Sequence, residues 1–404
     1  MRILNVTAQK PDSTGSGVYL AEMVRCEVEL GHEAAVVCGI DVEDVLSFPK
    51  TVDVFPVRFG GGDISFPVVG MSDEMPYVAT RYRDMTSDMV EQFKHAFSVK
   101  IKMALETFNP DVIVCHHLYL LTSLVRHLVD ALPVVAICHS TDLRQMRTHS
   151  LERAFIEEGI CSLDRIFALH ADQLLEISNL FKCDQEKIMI LGTGYNAQRF
   201  KPSASLSHDK QSASLLYVGK IWEKKGVGCL LDALDLLSLD TENVTVRLVG
   251  GHNDEEEYQR FLERASACKV PVEFLGRLDS DDLIYEYQRA DVFVLPSFFE
   301  GLPLVVVEAL ACGCRVVVSD LPGIRPWLHS HIPDAPVVFI EPPRMKTFDE
   351  PFKEDLAPFS ENIAQGIEQA FRLQPFKGDM RSLSWEGLTE KCIDFISPLV
   401  SWKK

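Results

Sequence analysis

Short apolar runs alternate with longer amphipathic stretches over almost the whole chain. Apolar runs of strand length predict buried strands, and stretches with apolar residues three or four positions apart predict helices. This alternation predicts an α/β fold in which parallel sheets carry helices on both faces. The predicted strands are residues 2–8, 34–39, 111–116, 134–140, 165–170, 187–191, 214–219, 244–250, 272–276, 291–297 and 315–320.

The predicted helices include residues 17–30, 86–108, 118–132, 141–159, 304–312 and 384–404. Pro398 is expected to bend the last of these helices or to end it early. The chain has 404 residues, which exceeds the size at which one hydrophobic core keeps growing, so two domains are expected. Residues 193–212 interrupt the periodicity and are the predicted linker. Two doubly wound sheets would leave a ligand cleft between their carboxyl edges.

The charge of the chain limits its partners. The formal net charge is −19, from 40 basic and 59 acidic side chains. Such an excess of negative charge repels nucleic acid and anionic lipid, so neither nucleic acid nor a membrane surface is an expected partner. A phosphate-bearing ligand would need a local basic site.

Cysteine usage and hydropathy indicate the compartment. The 11 cysteines include no Cys-x-x-Cys motif, which predicts buried thiols in a reducing environment. Cys115-His116-His117 and Cys138-His139 lack a second spaced pair of ligands, so no metal site is predicted. No stretch reaches the roughly 18 apolar residues of a membrane helix, and the first residues do not form a signal peptide. A cytoplasmic protein is expected.

Two carboxylates stand eight positions apart around a strand-to-helix junction. Glu300 follows the predicted strand 291–297, at the edge where open α/β sheets bind ligands. Glu308 lies inside the apolar helix 304–312, where an isolated charge would cost several kcal/mol. It must therefore be paired, hydrated or bonded to a ligand. The alternative is a buried acid that protein partners satisfy.

These residues resemble a known family. The Glu-x7-Glu motif, followed by Ala-x-Ala-x-Gly and the strand 315–320, resembles the retaining glycosyltransferases of family 4, which have the GT-B fold. The resemblance implies two doubly wound Rossmann-like domains separated by a cleft. Residues 1–193 and a returning helix 384–404 would form the acceptor domain, and residues 194–383 the nucleotide-sugar donor domain.

The resemblance also assigns roles at the donor site. Glu300 would hold hydroxyls of the donor sugar and Glu308 the nucleotide ribose, while backbone N–H groups of Gly301 and Leu302 would face the diphosphate. Residues 217–227 carry three lysines around a glycine turn, which provides the positive charge that an acidic protein needs beside a departing diphosphate. The family motif matches two of these lysines, Lys220 and Lys225.

Further motifs complete the expected site. The sequence 15–17 follows the first strand and opens a helix, where glycine lets a ligand approach and the helix start favours an anion. Asp279-Ser280-Asp281 is predicted to cap a helix rather than bind a metal, and Asp142 is also a predicted cap. By resemblance, the remaining donor-site residues are Gly15, Ser16 and Gly17 at the phosphate, His139 near the transferred sugar, and Gly276, Arg277 and Leu278 at the base. The alternative for His139 is a core or capping histidine.

The expected activity is transfer of a hexose, with retention, from a nucleotide-diphosphate sugar to an acceptor hydroxyl. By resemblance, a UDP-sugar is the favoured donor, and neither a metal nor a cofactor is expected. Alternatives are a nucleotide-sugar epimerase or a sugar phosphorylase on the same fold, or a silent nucleotide-sugar-binding protein. Residues 41–85 break the regular alternation. They either shape the acceptor pocket, with Arg81 and Arg83 contacting anions, or form a hairpin on the sheet edge.

Overall fold

The structure is a computed structural model that describes residues 1–11, 13–73, 75–203, 213–238, 244–347 and 350–401. It divides into two compact units. Unit 1 contains Met1–Gly194 and Trp385–Lys404, and unit 2 contains Tyr195–Ser384. Residues 204–212 of the linker predicted at 193–212 lie outside the described residues.

Unit 1 is built on a parallel sheet, in which seven strands of the described residues run in the order β3-β2-β1-β6-β7-β8-β9. The strands of the unit are β1 (Arg2–Thr7), β2 (Glu33–Asp41), β3 (Asp53–Phe59), β4 (Val69–Gly70), β5 (Thr80–Arg81), β6 (Val112–His116), β7 (Val134–Ile137), β8 (Arg165–Ala168) and β9 (Ile188–Ile190). Its helices are α1 (Gly15–Glu29), α2 (Ser87–Thr107), α3 (Leu120–Leu128), α4 (Thr141–Thr148), α5 (Arg153–Cys161), α6 (Ala171–Phe181) and the C-terminal α13 (Trp385–Ser401). The strand order reverses between β1 and β6, which is where such sheets bind ligands.

Unit 2 repeats this plan. In the part of unit 2 that the structure describes, six parallel strands follow the order β12-β11-β10-β13-β14-β15. They are β10 (Ala213–Val218), β11 (Val244–Val249), β12 (Val272–Gly276), β13 (Val292–Leu295), β14 (Arg315–Ser319) and β15 (Val337–Ile340). The helices are α7 (Val227–Leu236), α8 (Glu255–Ser266), α9 (Ser280–Arg289), α10 (Leu304–Ala311), α11 (Ile324–His331) and α12 (Leu356–Arg372). Here the order reverses between β10 and β13.

The α/β class with parallel sheets is therefore confirmed. Its physical basis is the burial of the strands on both faces, since every residue of β6, β7 and β13 is buried. Asp279 caps α9 as predicted, because its carboxylate accepts the backbone N–H groups of Asp281 and Asp282. Among the described helices, none is both long and apolar enough to cross a membrane.

The helix predicted over 141–159 is wrong, because the structure has two helices there. Between α4 and α5, His149 is extended and Glu152 adopts a left-handed φ of 45°. The guanidinium of Arg153 donates to the carbonyl oxygens of Met146 and His149. These bonds satisfy carbonyls at the end of α4, which stabilises the break.

Asp142 does not cap α4, contrary to the prediction. It is fully buried, and its Oδ2 accepts the backbone N–H of Leu118 at 2.7 Å and of His139 at 3.3 Å. The carboxylate therefore ties together the loops that follow β6 and β7. Of the two effects expected of Pro398, an early end of the last helix is not observed, since α13 continues to Ser401, and a bend stays a prediction. The intrahelical amide donor that Pro398 lacks would have bonded the carbonyl of Asp394, a residue that is exposed.

Residues 41–85 contribute three strands that the pattern did not predict, β3 and the short parallel pair β4 and β5. The strand β3 adds to the sheet edge in parallel with β2, and Pro56 is tolerated there because an edge strand has a free side. Phe59 and Phe66 lie in the hydrophobic core of unit 1. The segment therefore adds a parallel strand to the sheet edge and forms a separate parallel pair of short strands, rather than a hairpin.

Candidate functional site

The lysine loop and the Glu300 loop lie side by side in unit 2, because β10 and β13 are neighbours where the strand order reverses. Lys225 Nζ donates to Glu300 Oε1 at 2.7 Å, and Ser297 Oγ donates to the same oxygen at 2.7 Å. The Lys225 and Glu300 side chains are 26% and 15% exposed. A cation and a carboxylate are thus held together and remain accessible at the carboxyl edge of the sheet.

The position of Lys225 depends on the glycine that follows it. Gly226 has a φ of +71°, and a Cβ at this residue would lie 2.1 Å from the carbonyl oxygen of Pro296. The backbone N–H of Phe298 also donates to the Lys224 carbonyl at 3.2 Å. The lysine loop is therefore packed directly against the loop that carries Glu300, and a side chain at Gly226 would separate them.

Lys220 extends the basic surface of this loop. Its Nζ lies 4.3 Å from the centre of the Trp222 ring, and Lys224 Nζ lies 4.9 Å from the same ring. The hydroxyl of buried Tyr217 donates to the Lys220 carbonyl at 2.7 Å, which holds the loop as it leaves β10. Both ammonium groups therefore lie within cation–π range of one indole ring.

Glu308 is partly buried on α10 and is not isolated. The hydroxyl of Tyr287 donates to its Oε2 at 3.1 Å. Gly301 and Leu302 lie just before α10, whose N-terminus carries partial positive charge. The prediction that Glu308 needs a partner is therefore met by Tyr287 in this structure, and a ligand contact remains a prediction.

The predicted base loop lies at the end of β12. Gly276 adopts a φ of +67°, and its carbonyl accepts the N–H of Gly250 at 2.8 Å. Arg277 is exposed and lies over Gly251, since a Cβ there would be 2.4 Å from Arg277 Nε. Leu278 follows and is partly buried. These residues are on the same sheet edge as Glu300, because all the strands of this sheet are parallel.

In unit 1, α1 begins at Gly15 with Thr14 as its cap. Ser16 Oγ lies 3.1 Å from His117 Nε2, which joins the start of α1 to the loop after β6. The Thr14 hydroxyl accepts the N–H of Gly17 at 3.2 Å. A Cβ at Gly15 would meet no atom within 4 Å, so this first turn has an open side.

Three histidines cluster beside this turn. His116 Nδ1 lies 3.1 Å from His139 Nε2 with the two rings nearly parallel, and the His117 ring centre is 4.7 Å from that of His139. Burial lowers the pKa of His139 to about 3 and the pKa values of His116 and His117 well below their usual range. All three rings are therefore neutral near pH 7 and act as hydrogen-bonding groups rather than as cations.

Sequence reasoning selected His139 but not His117, Ser297 or Tyr287. His117 has a left-handed φ of 74°, and backbone strain of this kind has no sequence signal in a non-glycine residue. Ser297 could have been found by its place at the end of a predicted strand, three residues before Glu300. Tyr287 could not, because its contact with Glu308 joins two helices that are separate in sequence.

Two family models match the chain. The model described as Glycosyltransferase Family 4 matches residues 13–199, and the model described as Glycosyl transferases group 1 matches residues 198–348. The chain belongs to the family 4-like glycosyltransferases with the GT-B fold. The lysine loop, the base loop and both glutamates all lie within the second match.

Curated relatives of this chain include glycogen synthase of Mycobacterium tuberculosis, which is 28% identical over 234 residues, 54% of this chain and 54% of that protein. D-inositol 3-phosphate glycosyltransferase of Frankia alni is 29% identical over 183 residues, 42% of this chain and 45% of that protein. The alignments with these curated relatives thus span about half of their length.

Solved structures show the same fold over the whole chain. Sucrose-phosphate synthase from Thermosynechococcus elongatus has a TM-score of 0.68 at 17% identity, and the similarity covers 99% of each chain. Anabaena HepE in complex with UDP and glucose has a TM-score of 0.64 at 14% identity, covering 98% of this chain and 100% of that one.

Proposed function

We propose that this glycosyltransferase transfers a hexose, with retention, from a nucleotide-diphosphate sugar to an acceptor hydroxyl and needs no metal ion. The observation that carries the proposal is the contact between Lys225 and Glu300 at the carboxyl edge of the unit 2 sheet. The contact holds a group suited to the diphosphate beside a group suited to sugar hydroxyls.

The basic loop would neutralise the leaving group. Negative charge grows on the diphosphate as the bond to the sugar breaks, and preorganised cations and N–H dipoles stabilise that charge most in the transition state. Lys220, Lys225 and the start of α10 would supply this stabilisation, which removes the need for a divalent cation. The carboxylate of Glu308, oriented by Tyr287, would accept hydrogen bonds from the ribose hydroxyls.

Glu300 would orient the sugar rather than attack it. In the proposed step, the bond between the anomeric carbon and the diphosphate oxygen breaks while the acceptor oxygen bonds to that carbon on the same face. The acceptor proton passes to the departing diphosphate. This front-face substitution retains the anomeric configuration without a covalent enzyme intermediate.

Names of the similar proteins support the donor class. HepE has been solved with UDP-glucose, and other relatives are named as glycosyltransferases or sugar-phosphate synthases. A UDP-sugar is therefore the first donor to test. Unit 1 is the proposed acceptor domain, and unit 2 the proposed donor domain.

A panel of nucleotide sugars with UDP and GDP tests donor binding by thermal shift, because a ligand of the native state raises its stability. Product analysis by NMR with candidate acceptors, with and without EDTA, then tests retention and metal independence. Turnover without an acceptor would indicate an epimerase, dependence on inorganic phosphate a phosphorylase, and binding without turnover a silent binding protein.

Glu300→Gln should lower kcat by about 100-fold, the scale of losing one preorganised transition-state contact, while the melting temperature changes little. Glu256→Gln is the matched control, because Glu256 is exposed on α8. Near-normal turnover of Glu300→Gln with nucleotide sugars would overturn the assignment.

A further inference from the structure

Two histidines of unit 1 are joined by one hydrogen bond. His116 is the last residue of β6, and His139 follows β7, the neighbouring strand. His116 Nδ1 lies 3.1 Å from His139 Nε2, and the two ring planes differ by only 10°. The contact is therefore a hydrogen bond between two imidazoles that leave adjacent strand ends.

Hydrogen bonds within the protein hold the main chain on both sides of this contact. Asp142 Oδ2 accepts the backbone N–H of His139 at 3.3 Å and that of Leu118, in the loop after β6, at 2.7 Å. The backbone N–H of His117 also donates to the carbonyl of Ile137 in β7 at 2.9 Å. The positions of the two strand ends are thus set by the fold itself.

Aromatic packing fixes the orientation of the His139 ring. Tyr19 of α1 meets this ring edge to face, with ring centres 5.1 Å apart, and the His117 ring centre is 4.7 Å away. The hydroxyl of Tyr19 donates to the Gly192 carbonyl at 3.1 Å, which holds the tyrosine in place. Turning the His139 ring over would also break its hydrogen bond to His116. Nε2 therefore faces His116, and Nδ1 lies on the other side of the ring.

The charge state of the pair allows one proton in the shared hydrogen bond. Burial lowers the pKa values of both rings, so each ring is neutral near pH 7 and carries a single N–H. One ring must donate and the other must accept. If His116 donates, the proton of His139 is on Nδ1, and if His139 donates, its Nδ1 is a bare acceptor.

The second nitrogen of His116 decides which ring donates. His116 Nε2 is buried, and no described residue gives it a hydrogen bond. A proton on this atom would be an unsatisfied buried N–H, which is rarer in native proteins than an unsatisfied acceptor. The proton of His116 is therefore on Nδ1 and is donated to His139. The proton of His139 is then on its own Nδ1.

The Nδ1–H of His139 is available to a ligand. The residue is partly exposed, and within the described ranges no protein group is hydrogen-bonded to its Nδ1. Its ring packs on Tyr19 of α1, and the adjacent His117 contacts Ser16 in the first turn of that helix at 3.1 Å. This is the turn whose open side is at Gly15.

We propose that His116 is a positioning residue, which holds His139 in the Nδ1–H form so that His139 donates a hydrogen bond to an oxygen of the nucleotide-sugar substrate. The inference rests on the proposed function, because it names how His139 would act in the same transferase. A neutral imidazole can carry its proton on either nitrogen, and the contact with His116 selects one. A donor fixed in advance stabilises charge that develops on the contacted oxygen without reorganising during the step.

Long-range proton–nitrogen NMR of the histidine rings tests the tautomer without any substrate. In the wild type, His139 should have a protonated Nδ1 and a bare Nε2, and His116 should also be protonated on Nδ1. A scalar coupling between His116 Nδ1 and His139 Nε2 should report the hydrogen bond itself. A proton on Nε2 of His139 would overturn the proposal.

Substitutions of His139 test which nitrogen donates to the substrate. The amide nitrogen of asparagine comes close to the position of Nδ1, whereas that of glutamine comes close to Nε2. With UDP-glucose as the first donor, His139→Asn should have a kcat/KM about 3- to 10-fold higher than His139→Gln, the scale of one hydrogen bond between neutral groups. The opposite order would contradict donation from Nδ1.

Substitutions of His116 separate positioning from packing. His116→Leu fills the buried space but cannot donate, so kcat/KM should fall about 3- to 10-fold while the melting temperature stays near that of the wild type. His116→Asn keeps an amide donor near the position of Nδ1 and should restore most of the activity, even if it melts earlier. If His116 only fills the core, leucine should be the more active variant, and the positioning role would be wrong.

His127→Leu is the matched control for His116→Leu. His127 on α3 also contacts a polar partner, the Ser123 carbonyl at 2.7 Å, and its ring stacks on Phe155. This variant removes a stacked histidine of the same unit from an exposed position and should leave kcat/KM unchanged. Equal losses in His127→Leu and His116→Leu would show a general effect on unit 1 and would overturn the proposal.

Binding separates failure of this inference from failure of the proposed function. Adding UDP-glucose should shift the Nδ1 signal of His139, and Lys225→Gln should abolish that shift while the tautomer of His139 stays the same. Turnover of nucleotide sugars by an enzyme whose His139 is protonated on Nε2 would refute the positioning role alone. A wild type with the expected tautomer that neither binds nor turns over any nucleotide sugar would refute the proposed function, and with it the role of His139 towards that substrate.

Discussion

The hydroxyl of Ser297, three residues before Glu300, donates to the Glu300 carboxylate. Removing this hydroxyl tests whether the hydrogen bond positions Glu300 in the donor site. The Ser297→Ala variant removes one of two hydrogen bonds to Glu300 Oε1 but keeps the Lys225 contact. We expect kcat/KM for the donor to fall by about 10- to 150-fold, because a hydrogen bond to a charged group contributes about 1.5–3 kcal/mol.

Steady-state kinetics with varied nucleotide sugar measures this effect. Ser266→Ala on α8 is the control, because Ser266 is exposed and its hydroxyl donates to the carbonyl of Glu263 in the same helix. A loss confined to stability, with unchanged kcat/KM, would show that Ser297 does not position Glu300.

Glu27 is a second residue whose environment has a measurable consequence. It is fully buried on α1, and Asn5 Nδ2 donates to its Oε2 at 2.8 Å. Burial raises its pKa to about 8, far above the value of an exposed glutamate. The folded protein therefore binds more protons than the unfolded chain between about pH 4.5 and pH 8, and Glu27 makes stability fall as pH rises through that window.

Glu27→Gln should remove this dependence. We expect the variant to exceed the wild type in stability by a few kcal/mol near pH 8, and by little near pH 4.5, because glutamine keeps the amide contact without the ionisation penalty. Urea unfolding at several pH values measures it. Glu29→Gln, exposed on the same helix, should leave the pH dependence of the wild type in place.

At the scale of elements, two loop glycines differ in the space around them: a side chain at Gly226 would collide with backbone, whereas a side chain at Gly15 would meet no protein atom. Gly226→Ala should destabilise unit 2 and weaken donor binding, since the new Cβ would collide with the Pro296 carbonyl and φ is already +71°. Gly15→Ala should leave the melting temperature within about 1 °C, because open space surrounds the position.

Measuring the activity of the Gly15→Ala variant tests whether a ligand lies close to Gly15. If a ligand lies against the first turn of α1, Gly15→Ala should lower kcat/KM although the fold is intact. Unchanged kinetics for Gly15→Ala would remove Gly15 from the site, whereas unchanged melting of Gly226→Ala would contradict the packing of the lysine loop.

Elements also show where sequence patterns succeed and fail. Strands such as β6 and β13 were predictable because burial on both faces makes them continuously apolar. The break between α4 and α5 was not, because it depends on a side chain of Arg153 that caps carbonyls of the preceding helix. The strand β3 was hidden by Pro56 and by exposed residues that only a sheet edge tolerates.

At the scale of the whole molecule, the two compact units should respond differently to a donor. Lys225, Glu300 and Glu308 all lie in unit 2. A nucleoside diphosphate that binds there should raise the unfolding midpoint of unit 2 by mass action and leave unit 1 with a smaller change.

Hydrogen exchange with and without UDP measures this, because it reports each sheet separately. Protection should increase at β10, β13 and α10, and the response should be lost in Lys225→Gln. Equal protection of every strand in unit 1 would contradict a nucleotide site whose Lys225, Glu300 and Glu308 all lie in unit 2.

The sequence by itself determined the class of fold, because hydrophobic periodicity reports which residues are buried and parallel strands are buried on both faces. It also marked Glu300, Lys225 and His139 as candidates, since strand ends and charges in apolar segments are local features. Only the tertiary structure decided which of these groups touch. Lys225 meets Glu300 across 75 residues and Arg83 meets Arg144 at Asp73, and such contacts depend on strand order, which local sequence does not encode.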